Sequence, residues 1–289
     1  MTEKSFIDKA EGDYVWDLDG KRYIDFQNGW ATNPLGNCHP EIIEAVEAAN
    51  RRFGFHYDHP LRYDLAEMLA DVMPAKALPR TNYEVSGTEA AEAAVHLALT
   101  HTRRRYIITF ASSYHGMGLG TKVLSGLDGS YGTYLEGWGG GVIKAPYPYS
   151  DKIPAGMSEA QYTEYCLWYL DNHIPSSIAA RDNIAGILVE PGLAEGGNWI
   201  PSTRFLKGIR DICDKNDWLM ISDEVLTGLG RTGRMGKTCL AELHRCAASL
   251  PVMTSWATTP ASCPARHSRA RLPDVRQRSE PLRFSNGTR

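Results

Sequence analysis

Two apolar runs, Ala185-Gly186-Ile187-Leu188-Val189 and Trp218-Leu219-Met220-Ile221, enclose a stretch in which Phe205, Ile209, Ile212 and Cys213 fall at helical spacing. This strand–helix–strand pattern constrains the chain more than any other feature. Strands that are apolar at successive positions are buried on both faces, which is a property of parallel sheets covered by helices. The first run ends at Glu190 and the second, one residue on, at Asp223. Ligands of such sheets gather where the strands end. The expected fold class is therefore α/β, with a mainly parallel sheet flanked by helices.

The rest of the chain extends the pattern. Tyr14-Val15-Trp16 and Arg22-Tyr23-Ile24-Asp25 surround Asp19-Gly20, as two short strands joined by a tight turn would. Pro40 introduces an amphipathic helix through Ile42, Ile43, Val46 and Ala49, and a second is expected over 63–72. Ser86 and Glu89 have the spacing of a capping box ahead of an alanine-rich helix. Tyr106 to Phe110 reads as a strand, and 162–170 as a helix. Residues 125–152, rich in glycine, proline and tyrosine, read as a long loop. Ser202 or Thr203 is placed to cap the helix through Phe205.

Several of these segments carry groups suited to chemistry. Ser86, Gly87 and Thr88 would present amides and hydroxyls at a helix N-terminus, where an anion such as phosphate is favoured; an ordinary capped helix has the same spacing. Tyr114 and His115 follow a strand closely, so an aromatic ring there could lie over a planar cofactor or simply pack in the core. Glu190 leads into a glycine-rich loop, as a candidate substrate-side acid or a solvated loop acid. A buried Asp223 needs a cation or a hydrogen-bond donor beside it. The protonated ring nitrogen of pyridoxal phosphate would satisfy it, with Val225 against one ring face. The alternative is an aspartate that caps the next helix. Gly228-x-Gly230-x-x-Gly233 matches a dinucleotide fingerprint but carries Arg231 and Arg234 and lacks the expected strand–acid continuation. Gly236-Lys237-Thr238 resembles the end of a P-loop, with arginine where the first glycine belongs.

Composition narrows the partners. A net charge of −3 gives no reason to expect nucleic acid or an anionic membrane, and no run of eighteen apolar residues suggests a membrane span. Six cysteines without paired spacing and a polar start unlike a secretory signal point to a reduced, cytoplasmic setting. Cys38 beside His39 has no second pair to complete a metal site, so none is expected. From Thr238 onward, eight arginines oppose three acidic residues with no lysine, a balance of +5 that leaves −8 on the preceding 237 residues. That switch, with five prolines and one glycine, predicts a disordered tail of separate origin, such as a frameshifted or fused terminus.

Taken together, residues 1 to about 237 resemble the class III aminotransferases, pyridoxal-phosphate enzymes of fold type I that include 4-aminobutyrate, ornithine and acetylornithine aminotransferases. The resemblance rests on the Tyr14–Asp25 hairpin, Gly36-Asn37-Cys38-His39-Pro40, Ser86-Gly87-Thr88-Glu89-Ala90 and Tyr114-His115-Gly116. Glu190-Pro191, Glu195-Gly196-Gly197 and Asp223-Glu224-Val225 through Gly233 complete it, all in family order. It implies an N-terminal segment over 1–60, a cofactor-binding large domain over 61–237 and an atypical tail over 238–289. It further implies a phosphate site at Ser86, Gly87 and Thr88, and a ring bounded by Tyr114, His115 and Val225. Asp223 would lie at the ring nitrogen and Glu190 on the substrate side. The implied reaction moves an amino group from an amine or omega-amino acid to a 2-oxo acid, in a homodimer. The departure is the Schiff-base lysine, which the family carries roughly thirty residues beyond the aspartate. Here that region reads Leu250-Pro251-Val252-Met253-Thr254-Ser255-Trp256, and Lys237 falls too early. Set against the family, the resemblance leads to the expectation that the small C-terminal domain is missing or replaced. Two readings follow: an aminotransferase that is impaired or inactive, or a non-catalytic remnant that acts only by association.

Overall fold

The computed structural model describes residues 6–52, 58–72, 80–127 and 140–233, with the backbone of two short strands at 248–249 and 255–259. Three antiparallel strands open the chain: β1 (Ile7–Glu11), β2 (Tyr14–Asp17) and β3 (Arg22–Ile24). The Asp17 carboxylate organises the turn between β2 and β3. It accepts from the amides of Asp19 and Lys21 and from the Tyr23 hydroxyl, the last at 2.7 Å. Gly20 supplies the positive φ of 78° that the turn requires. A single left-handed turn, α1 (Asn28–Ala31), precedes two helices, α2 (Pro40–Asn50) and α3 (Pro60–Val72). The apolar face expected of α2 is present, but Ile42, Ile43 and Val46 are exposed, and Leu69 is the one buried residue of α3.

The main body follows. Strand β4 (Arg80–Glu84) leads into α4 (Gly87–Thr102), and β5 (Tyr106–Phe110) into α5 (Leu119–Leu124). Strand β6 (Val142–Ala145) lies inside the stretch expected to be loop. Its four residues are too few to announce themselves among the surrounding glycines and prolines, and pairing with β5 decides their conformation. Residues 128–139 of that stretch lie outside the described residues. Helix α6 (Glu159–Trp168) starts with a complete capping box from Ser158 and Gln161, runs through one π-turn and continues as α7 (Ile174–Ser177). Then come β7 (Ile184–Val189), α8 (Thr203–Asn216) and β8 (Leu219–Ser222). Ser202 stands at the N-cap of α8 without a side-chain cap bond. In the tail, β9 (Ala248–Ser249) pairs with β8 and β10 (Ser255–Thr259) pairs antiparallel with β4.

The central sheet has the order β6-β5-β7-β8-β9, with every neighbouring pair parallel. One face packs against α4 through Ala90, Ala91, Ala94 and Ala98, which meet Ile107, Leu188 and Ile221. The other face packs against α6 and α8, where Phe110, Tyr147 and Phe205 form an edge-to-face cluster with centroids 5.1–5.7 Å apart. The small side chains of α4 let that helix lie close to the sheet. From β5 the chain steps outward to β6 and then returns to place β7 on the other side. This reversal makes a switch point at the carboxyl ends of β5 and β7, where such sheets leave a crevice.

Candidate functional site

The residues singled out from the sequence meet at that crevice. Asp223 directly follows β8 and is 5 % exposed; its amide donates to Val189 O at 2.8 Å, so the aspartate is held beside the end of β7. Its Oδ2 lies 2.8 Å from His115 Nδ1, and its Oδ1 accepts from the Val225 amide at 3.1 Å. A carboxylate only accepts, so the proton of this contact sits on Nδ1, and Nε2 is the ring's other polar atom. That Nε2 is buried and finds no partner among the described residues. Leaving such a nitrogen unsatisfied would cost about 1–3 kcal/mol, so a water or another polar group is expected beside it.

Glu190 joins the two loops that flank the switch point. Its Oε1 accepts from the Tyr114 amide at 2.7 Å and its Oε2 from the Ala194 amide at 2.9 Å. Both oxygens therefore serve as a brace, and the residue is 4 % exposed. Burial pushes the Glu190 carboxyl up to about 7; the His115 ring opposes this, the Asp223 carboxylate adds to it, and the two amide donors oppose it.

The third component is the start of α4. Ser86 is the N-cap and accepts from the Glu89 amide, as expected. The Glu89 side chain bonds to the Val85 amide at 3.1 Å, so the reciprocal half of the box is displaced by one residue. Val225 packs onto this end of the helix, with its methyl groups 3.3 Å from where a Cβ on Gly87 would sit. Thr88 reaches the other loop, accepting from the Met117 amide at 3.3 Å. Gly116, at φ +127°, lies where a Cβ would be 2.4 Å from Thr88 Oγ1, so glycine is required by both conformation and space.

Ser86, Gly87, Thr88, Tyr114, His115, Glu190, Asp223 and Val225 thus form one connected cluster. Sequence reasoning overlooked what supports it: Ser125, whose Oγ accepts from the His115 amide at 2.9 Å, and Lys144, whose amine reaches the same segment. No local pattern marks either residue. Lys237 and residues 250–254 lie outside the described residues. Among the described residues no group of three or more His, Cys, Asp or Glu is placed to hold a metal, and no helix is long and apolar enough to cross a membrane.

The cluster fits pyridoxal phosphate. Asp223 accepts from two partners among the described residues, and the first-turn amides of Gly87 and Thr88 at the α4 N-terminus have no intrahelical acceptor. Comparison with known proteins gives the same direction. The chain is 32 % identical over 237 residues to a probable 4-aminobutyrate aminotransferase of Bacillus subtilis, covering 80 % of this chain and 53 % of that protein. It is 34 % identical over 238 residues to a glutamate-1-semialdehyde 2,1-aminomutase of Lachnoclostridium phytofermentans, covering 80 % and 51 %. The taurine:2-oxoglutarate aminotransferase of Bifidobacterium kashiwanohense, solved with PLP and glutamate, superposes with a TM-score of 0.79 at 28 % identity, over 89 % of this chain and 60 % of that one. The chain spans about half the length of the curated relatives it matches. The family model for aminotransferase class-III matches residues 1–241, and on that match the chain belongs to the class III aminotransferases.

Proposed function

We propose that this chain binds pyridoxal phosphate non-covalently at the Asp223 crevice, as an aminotransferase by descent whose turnover is slow or absent. The observation that carries this reading is the buried Asp223–His115 pair at 2.8 Å, in a loop whose Val225 packs against Gly87 at the α4 N-terminus. When bound, the cofactor supplies an electron sink for a substrate amine. Asp223 would hold the proton on the ring nitrogen, and His115 would keep the aspartate oriented. Gly87 and Thr88 would take the phosphate, while Tyr114 and Val225 would bound the ring. Glu190 acts in this reading by tying the Tyr114 loop to the loop after β7.

The donor is an amine or omega-amino acid and the acceptor a 2-oxo acid. The names of the relatives span a 4-aminobutyrate aminotransferase and an aminomutase, so they do not select one substrate. The sequence holds no lysine after Lys237, and with it goes the amine that would anchor the cofactor and move the proton at the substrate's alpha carbon. A second reading, a remnant that acts by association within a homodimer or with another chain, is favoured by the exposed apolar faces of α2 and α3.

Titration of the purified chain with pyridoxal phosphate tests the first reading. The Asp223→Asn variant should bind roughly tenfold to a hundredfold more weakly, the equivalent of a charge-assisted hydrogen bond. Borohydride reduction should leave no labelled peptide in either protein. Equal affinities in the two would remove Asp223 from the site, and amine-dependent formation of pyridoxamine phosphate would show that turnover survives.

A further inference from the structure

Lys144 stands on β6, directly opposite Thr109 in the parallel register with β5. The residue as a whole is exposed, yet its ammonium is fully engaged. Nζ lies 2.9 Å from Thr109 Oγ1, 2.8 Å from both Val123 O and Ser125 O, and within hydrogen-bond distance of Leu124 O, four acceptors that share its three N–H groups. The last carbonyls of a helix lack intrahelical donors and carry partial negative charge, so a cation across the end of α5 satisfies both needs. Loss of water around the amine draws its pKa down to about 7.

What Lys144 holds is the support of the site. Ser125 Oγ donates to Thr121 O and accepts from the His115 amide. Gly126 donates its amide to Ser113 O and accepts from the Ser112 amide, each at 2.8 Å. Gly126 also lies so close to β5 that a Cβ there would be 2.0 Å from Phe110 O. The segment 112–116 is therefore zipped to 125–126, and 125 is pinned by Lys144. Ser112, at φ +63°, and Gly116 give that segment a conformation that local preference does not favour. Tertiary contacts must hold it in place.

We propose that Lys144 is a positioning residue, which pins the end of α5 so that the segment 112–116 presents His115 to Asp223. Its relevance to the cofactor rests on the reading of the Asp223 crevice given above; its effect on His115 does not. The experiment compares the full chain with Lys144→Met and Lys144→Arg in the absence of cofactor. Amide hydrogen exchange at Ser112, His115 and Gly126 should be at least about tenfold faster in Lys144→Met, a change of about 1.4 kcal/mol in local opening. The amides of β7 and β8 should be unchanged, and Lys144→Arg should restore most of the protection. Nitrogen NMR of labelled histidine adds a signature of the site itself. His115 should pass from a fixed Nδ1–H tautomer in the parent to a mixture in Lys144→Met, and return in Lys144→Arg. Unchanged exchange over 112–126 would overturn the proposal. So would uniform acceleration that reaches β7 and β8, since that describes a general stability residue. Pyridoxal phosphate titration of the same three proteins judges the cofactor reading separately: a parent chain that does not bind defeats that reading, and the exchange result still decides the role of Lys144.

Discussion

At the scale of single residues, Glu190 gives the clearest pH dependence. Its carboxyl titrates near 7 in the folded chain, against an ordinary value of 4.5, chiefly because it is buried. The folded state therefore binds more protons than the unfolded state between those values, and stability falls as pH rises through the window. The contribution is fully present below about pH 4.5 and is lost as pH passes about 7. The shift corresponds to on the order of 3 kcal/mol. Glu190→Gln removes the titration but faces one backbone amide with a second donor, which should itself cost about 1–3 kcal/mol. Urea midpoints of the parent and Glu190→Gln, taken across this pH range, should converge as pH rises. A constant difference would mean that the carboxyl is already ionised in the fold.

Between elements, the contact of β7 with β8 is the least forgiving. Gly186 faces Leu219 so closely that a Cβ would stand 2.3 Å from the Leu219 carbonyl oxygen and 3.1 Å from its Cβ. The obstacle is backbone within a sheet, which cannot move aside as a side-chain tip would. Gly186→Ala should therefore destabilise by about 3 kcal/mol, toward the upper end for overpacking. Gly140→Ala is the control: among the described residues nothing lies within 4 Å of the point where its Cβ would stand, and the change should be neutral or stabilising by less than about 1 kcal/mol. Denaturant midpoints compare the two, and equal midpoints would show that the β7–β8 spacing adjusts freely. Because Glu190 and Asp223 extend from these two strands, loss of this register should also weaken cofactor binding.

Across the whole molecule, burial is uneven. The parallel sheet and α4, α6 and α8 hold the two cores, whereas Ile42, Ile43, Val46, Leu61, Leu65 and Met68 on α2 and α3 remain exposed. Single exposed apolar residues are ordinary, but two helices with exposed apolar faces favour association. The chain by itself should self-associate, with a sedimentation profile that shifts with concentration and with binding of a hydrophobic dye. Ile43→Lys with Met68→Lys should reduce both. A monodisperse monomer without dye binding would contradict this expectation.

Much of the parallel architecture was legible in advance, because its signal is local. β5, β7 and β8 are apolar runs bounded by turn residues, and α4 and α8 carry their faces in the spacing of alanines, Phe205 and Ile209. The same pattern located Glu190 and Asp223 at strand ends. Short edge strand β6 was hidden, since four residues hold too little periodicity and its pairing with β5 is non-local. The amphipathic pattern of α2 was real and still did not predict burial, because burial depends on what lies against the face. Sequence by itself determined which residue types stand at the ends of which strands. Only the tertiary structure decided that His115 meets Asp223 across 108 positions, that Glu190 spends both oxygens on backbone amides, and that Lys144 supports their loop. Hydrogen bonds act over about 3 Å of space whatever the chain separation, so no local pattern in the sequence encodes them.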